Sequence, residues 1–191
     1  MAMNVLHRRI CRSDSWAERM HGRTLPWATH DVDLTGEVLE IGPGYGVTTR
    51  WLAPRAGALT ALEVDPVMAA DLRDGLGREL GVDVRPGDGA ALPFPDASFD
   101  AVVCFTMLHH VPTPAEQDRL FAESARVLRP GGTFAGIDTR MSVRFRLIHI
   151  GDTLTAVDPA GLPARLSAAG LAGPGTELGQ RSFRFRATRP S

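Results

Sequence analysis

The sequence contains no lysine; every basic side chain apart from histidine is an arginine. That absence excludes any mechanism built on a Schiff base to a lysine amine. Cysteine is almost as scarce. Cys11 and Cys104 are too few for a disulfide framework and have no zinc-ligand spacing, so no metal set is expected. No apolar run approaches the length of a bilayer-spanning helix, and the first residues lack the apolar core of a secretory leader. The expectation is a cytoplasmic chain without a transmembrane segment. No Gly-Lys-Ser/Thr occurs, which rules out a P-loop nucleotide site. Nothing resembles a DNA-reading helix or an aromatic RNA platform, so nucleic acid is not expected as a partner.

What is present suits one ordinary domain. The 191 residues are 43% hydrophobic and 23% charged, enough to bury a core without staples. The formal net charge of -1 hides an uneven distribution, with arginine-rich ends around an acidic middle. Basic ends could attract an anionic or amphipathic small molecule, or simply be a solvated surface.

Short apolar runs at Val38–Ile41, Leu59–Val64, Ala101–Phe105 and Thr133–Ile137 read as buried strands. Helix-length stretches lie between them, at Val47–Leu52, Val67–Leu80 and Glu116–Leu128. Strand and helix alternating in this way predict βαβ units and a mostly parallel sheet, with ligands at the C-terminal ends of the strands. Residues 4–20 are expected to form a helix with Val5, Leu6, Ile10 and Trp16 near one face. Residues 1–30 then make a helical extension to a main domain over residues 31–191. Near the end, Leu162–Leu171 reads as a last helix. Ser182–Ala187 alternates like a strand, and the glycine-rich Ala172–Gln180 is a weak strand at best.

Three loops carry the chemistry. Gly42-Pro43-Gly44-Tyr45-Gly46 follows the first strand, where glycine lets the chain turn tightly and a ligand approach the backbone. Alone, such a loop also fits a purely structural turn. It does not stand alone: Glu63 ends the next strand at the spacing of a ribose-binding acid, and Asp88 in Gly87-Asp88-Gly89 can accept from an exocyclic amine. Together they describe an adenosine site. The G-x-G-x-G spacing, shorter than G-x-G-x-x-G, argues against a nicotinamide dinucleotide.

At these residues the sequence resembles the class I S-adenosylmethionine-dependent methyltransferases of small-molecule type. Val38 to Gly46 matches the family's first motif and Ala61-Leu62-Glu63-Val64-Asp65-Pro66 its second. Gly87-Asp88 with Leu92-Pro93-Phe94 and Phe99-Asp100 matches the third, Val103–Val111 resembles the fourth, and Arg126–Gly132 the turn before the fifth strand. The resemblance implies an α/β, Rossmann-like three-layer sandwich. Its seven-stranded, mostly parallel sheet has the order 3-2-1-4-5-7-6, with the last strand antiparallel. It implies S-adenosyl-L-methionine as cofactor and S-adenosyl-L-homocysteine as product. Gly42, Gly44, Tyr45 and Gly46 would form the methionine side, with Glu40 reaching the ammonium directly or through water. Glu63 and Val64 would flank the ribose, Asp88 and Gly89 the adenine, with Phe105 beside them.

The resemblance names no catalytic base, because in-line transfer from a sulfonium is mainly a matter of position. His109 and His110 follow the fourth strand, and His109 is either a base or a structural residue. Asp138 and Arg140 follow the fifth strand. In Arg144–Asp152, a helix would make His149 and Asp152 a base with its orienting carboxylate, whereas an amphipathic wall would leave them solvated. Cys104 reads as core; Tyr45 and Trp27 pack either on the cofactor or in the core. A second reading of the whole is a non-catalytic S-adenosylmethionine-binding regulator or sensor. The chain has no long acceptor-covering insertion, which leaves a site that is open or closed by the N-terminal helix or a partner subunit.

Overall fold

A computed structural model describes residues 4–191; residues 1–3 of the expected extension lie outside it. Seven strands form one sheet: β1 (Glu37–Ile41), β2 (Ala58–Glu63), β3 (Asp83–Pro86), β4 (Phe99–Phe105), β5 (Leu128–Thr139), β6 (Ala172–Leu178) and β7 (Ser182–Thr188). Their order is β3-β2-β1-β4-β5-β7-β6. β1 to β5 pair in parallel, and β7 runs antiparallel to both β5 and β6. This is the topology the resemblance implies, and the doubtful sixth strand forms.

Alternation along the central strands divides the core in two. Leu39, Ile41, Val102 and Cys104 face one side, with Phe121, Phe134, Phe183 and Phe185. Val38, Ala61, Val103 and Phe105 face the other, with Leu52, Leu72, Met20 and Leu25. Strands buried on both faces need continuous apolar runs, which is why these segments were legible. The first face is covered by α7 (Pro114–Val127) and α9 (Leu162–Ala168), and the second by α4 (Val47–Leu52) and α5 (Pro66–Leu72) with the N-terminal helices. After α5 the helical run continues through a π-helical turn at Arg73–Gly77 into α6 (Arg78–Leu80).

Caps fix where the helices start. Asp65 accepts from Val67 N and Met68 N at 3.0 and 3.2 Å ahead of Pro66. Thr113 does the same for α7, accepting from Glu116 N at 3.2 Å and donating its hydroxyl to the Glu116 carboxylate at 2.8 Å.

The N-terminal region departs from the expected single helix. It is α1 (Val5–Cys11), α2 (Asp14–Arg19), a π-helical turn (Met20–Thr24) and α3 (Leu25–Ala28). Ser13 breaks the run by capping α2, accepting from Trp16 N at 3.3 Å. Val5 and Leu6, expected on the buried face, are exposed; in α1 the buried residue is His7. Met20 and Leu25 instead anchor the segment in the core. Among the described residues no helix is long and apolar enough to cross a membrane.

Candidate active site

The C-terminal ends of β1, β2 and β4 open into one cavity of ≈ 1190 Å³. At one end lies the glycine loop. Gly46 starts α4 with φ of +77°, and a Cβ there would run into Leu72 and Leu76. Both constraints demand glycine. Gly89 is equally confined, since a Cβ would meet Ile41 and Leu120 at 2.9 Å.

Glu63, nearly buried, caps the end of β2. Its carboxylate accepts from Gly44 N at 3.0 Å and from Asp65 N at 3.1 Å, so it ties the glycine loop to the second strand. Asp88, exposed, accepts from Ala90 N at 2.9 Å with one oxygen. Gly42, Gly44, Tyr45, Glu63, Val64, Asp88, Gly89 and Phe105 all line the cavity, as do His109 and His149. Gly46 sits behind the wall as the first residue of the turn into α4.

Neither Glu40 nor Trp27 lines the cavity, and Trp27 takes the core alternative, packed partly buried against the second half of the core. The Glu40 carboxylate is buried behind Thr48, accepting from the hydroxyls of Thr48 and, at 2.6 Å, Thr49. Burial pushes its pKa up to about 7, against the downward pull of those two hydroxyls. Trp27 faces the far edge of the sheet, where its Nε1–H donates to Glu177 at 3.0 Å and helps hold β6 in place. Cys104 is core, its thiol pushed well up by burial.

The other end of the cavity is walled by α1, by the 3₁₀ turn Leu108–His110 after β4, and by α8 (Val143–Ile148). His109 is held on two sides by Asp138. The backbone N–H donates to one carboxylate oxygen at 3.0 Å, and Nδ1 lies 2.5 Å from the other. With Nδ1–H donated, the ring's lone pair is on Nε2. Asp138, expected as a loop residue beyond the strand, is wholly buried within β5. Arg140 lines the cavity and donates to Gly179 O at 3.1 Å.

The pairing of His149 with Asp152 does not occur. α8 ends at Ile148, and Gly151 turns the chain with φ of +83°, which carries Asp152 off the helical position. His149 Nδ1 lies 2.8 Å from Phe145 O. Asp152 reaches across to α1, with Oδ2 2.8 Å from His7 Nδ1 and Oδ1 accepting from Asn4 N at 2.5 Å. Asn4 Nδ2 donates to Ile148 O and Ile150 O at 2.7 and 3.1 Å, completing a clasp between α1 and the turn after α8. The N-terminal helix therefore closes this end of the site, one of the two closures that the sequence leaves beside an open site.

Sequence reasoning missed His7 and Thr106. Thr106, on the cavity wall, takes φ of +52°, an uncommon conformation for a non-glycine residue. Neither carries a local signal. His7 sits alone among arginines, and its partner lies 145 residues on.

The donor set fits S-adenosylmethionine. Glu63 offers a buried carboxylate that could take the ribose hydroxyls, Asp88 between two glycines an acceptor for the adenine amine, and the glycine-rich turn a close backbone approach for the methionine portion. Comparisons with known proteins agree. A family model described as "Methyltransferase domain" matches residues 39–136. Over 98 residues the chain is 40% identical to a protein of Mycolicibacterium smegmatis named "Probable S-adenosylmethionine-dependent methyltransferase", covering 51% of this chain and 36% of that one. Over 118 residues it is 33% identical to the demethylmenaquinone methyltransferase of Tropheryma whipplei, covering 62% and 48%. The chain thus spans half or less of the length of these curated relatives. Among solved structures, the PH0226 protein of Pyrococcus horikoshii shares the fold with a TM-score of 0.79 at 19% identity, covering 94% of this chain and 93% of that one. The matched model takes in the glycine loop, Glu63, Asp88 and the end of β4, and on that ground the chain belongs to the methyltransferase domain family, of the class I type that uses S-adenosylmethionine.

Proposed function

We propose that the chain transfers a methyl group from S-adenosylmethionine to a small, amphipathic or anionic acceptor. The observation that carries this reading is the continuity of the cavity, which joins Gly42 and Glu63 at one end to His109 and Phe145 at the other. Its volume suits a cofactor and a second molecule together.

The bound cofactor supplies an activated methyl group and a neutral leaving thioether. The chain supplies position, the main contribution available in such a displacement. Glu63 has acceptor capacity left for the ribose hydroxyls after its two backbone bonds, and Asp88 has an oxygen for the adenine amine. His109, fixed by Asp138, offers Nε2 to a hydroxyl or amine of the acceptor. Phe145 and Ile148 give that end an apolar side.

The acceptor's class is supported by the outer face of the lid that α1, α8 and the turn after α8 form over this end. Val5, Leu6, Val143, Leu147 and Ile150 are exposed there, beside exposed Arg8, Arg9, Arg144 and Arg146. Apolar and cationic groups together favour an acceptor with an apolar body and a negative headgroup. A relative named for demethylmenaquinone also carries its acceptor's name, and its likeness to this chain supports methyl transfer in general.

The test is calorimetric titration with S-adenosylmethionine, S-adenosylhomocysteine and NADH. Binding of the first two and not the third is expected, weakened about 10- to 100-fold by Glu63→Ala, the loss of hydrogen bonds to a charged group. Folded, ligand-free protein that binds neither would overturn the reading. Turnover with any acceptor separates an enzyme from a sensor. Failure to bind anionic vesicles at low salt would remove the lipid-like acceptor.

A further inference from the structure

We propose that His7, His110 and His149 form a binding site for one divalent d-block cation of the zinc type, at the acceptor end of the cavity. The three residues come from α1, the turn after β4 and the end of α8, and all three are buried. One ring nitrogen of each lies within 4.8 Å of those of the other two.

The far side of two of the rings is already anchored. His7 Nδ1 meets the Asp152 carboxylate and His149 Nδ1 the Phe145 carbonyl, both at 2.8 Å. Both rings thus donate outward through Nδ1 and keep the lone pair of Nε2 for another partner. Metal-binding histidines are held in this way, the carboxylate behind His7 included.

Other ring nitrogens in the cluster are unexplained. His110 Nδ1 and His149 Nε2 are buried with no hydrogen-bond partner among the described residues. Buried polar atoms in folded proteins are almost always paired, and each such exception needs a cause. Two of them lie in one cluster, with the His110 and His149 ring centroids 5.4 Å apart, and no donor among the described residues reaches either. A cation bound between the rings would supply the missing partner.

Three imidazoles suit zinc, copper, iron or nickel rather than magnesium or calcium. Metal–nitrogen bonds of about 2.0–2.1 Å require each ring to move inward by under about 1 Å. All three histidines also line the cavity, which leaves the remaining coordination position facing the acceptor. A consequence rests on the methyl-transfer reading: the acceptor would be one with an oxygen able to bind the metal, polarised there as by a Lewis acid.

The full chain, stripped with a chelator, is titrated with cobalt(II) and then zinc(II). Expected are one equivalent of cobalt, intense visible d–d bands of a four-coordinate nitrogen-rich site, and displacement by zinc. His149→Phe and His7→Phe should each weaken zinc binding about 100-fold or more, and Asp152→Asn about 10- to 100-fold. S-adenosylhomocysteine binding, measured on the same samples, reports whether the variants fold and whether the cofactor site stands independently of the metal. A weak six-coordinate cobalt spectrum in the unsubstituted chain would overturn the proposal. So would zinc affinity unchanged in histidine variants that still bind S-adenosylhomocysteine.

Discussion

The cofactor end of the cavity is assembled from loops between neighbouring parallel strands, whereas the acceptor end is assembled from segments far apart in the chain. At the first, Gly42 N donates to Leu62 O at 2.9 Å and Glu63 ties back to Gly44, so that loop and sheet are one unit. At the second, α1 meets the turn after α8 through Asn4 and His7, across 148 and 145 residues. The family match over residues 39–136 covers the first end and stops short of both lid segments. The shared fold therefore fixes the geometry of the first end, while at the second end α1 and α8 are placed by contacts outside the matched region.

The largest effect expected from breaking the contrast is at Gly46. Gly46→Val adds a disfavoured positive φ to a collision with Leu72 and Leu76, and should cost about 3 kcal/mol or more in chemical denaturation. Cofactor binding should be lost with it. A variant within about 1 kcal/mol of the parent would show that this end is not pre-formed.

A comparable effect, read through pH, is expected at Glu40. Its folded pKa of about 7 lies above the usual 4.5, so between those values the folded chain holds a proton that the unfolded chain releases. Stability from this group is then full below about pH 4.5 and declines as pH rises toward 7, by roughly 3 kcal/mol in all. Glu40→Gln should remove that slope, leaving the variant more stable than the parent at pH 8 and level with it near pH 5. Melting curves across pH check this, and parallel curves for the two proteins would refute it.

The smallest effect is expected in the lid. Asn4→Ala removes the α1 cap and its links to Ile148 and Ile150, worth about 1 kcal/mol. Amide exchange should quicken in α1 and α8 and stay unchanged in β4. Equal quickening in β4 would show that the two ends open together, and the contrast would fail.

The same division explains what could be read from the sequence. Val38–Ile41 and Ala101–Phe105 announce themselves because strands buried on both faces must be apolar throughout. The glycine loop, Glu63 and Asp88 are spaced by the strands that carry them. β3 escaped notice because it is an edge strand with Val84 as its single buried residue. The lid was misread for a related reason. Val5 and Leu6 look like the inner face of a helix, yet the inner residue is His7, whose partners lie beyond the reach of any local pattern. Helical spacing offers His149 and Asp152 as a pair, the alternative to an amphipathic wall, and the helix stops before it can align them; yet both are tied down rather than solvated.

The clasp between Asn4 and Asp152 also sets an order of events during synthesis. Residue 4 leaves the ribosome ahead of the residues that secure it, which follow roughly seven to thirty seconds later at ordinary elongation rates. Strands β1 to β4 and their loops emerge within that interval. The nascent chain can therefore shape its nucleotide pocket while α1 still waits for its partner, and the acceptor chamber is closed late, by the joining of an early segment to a late one.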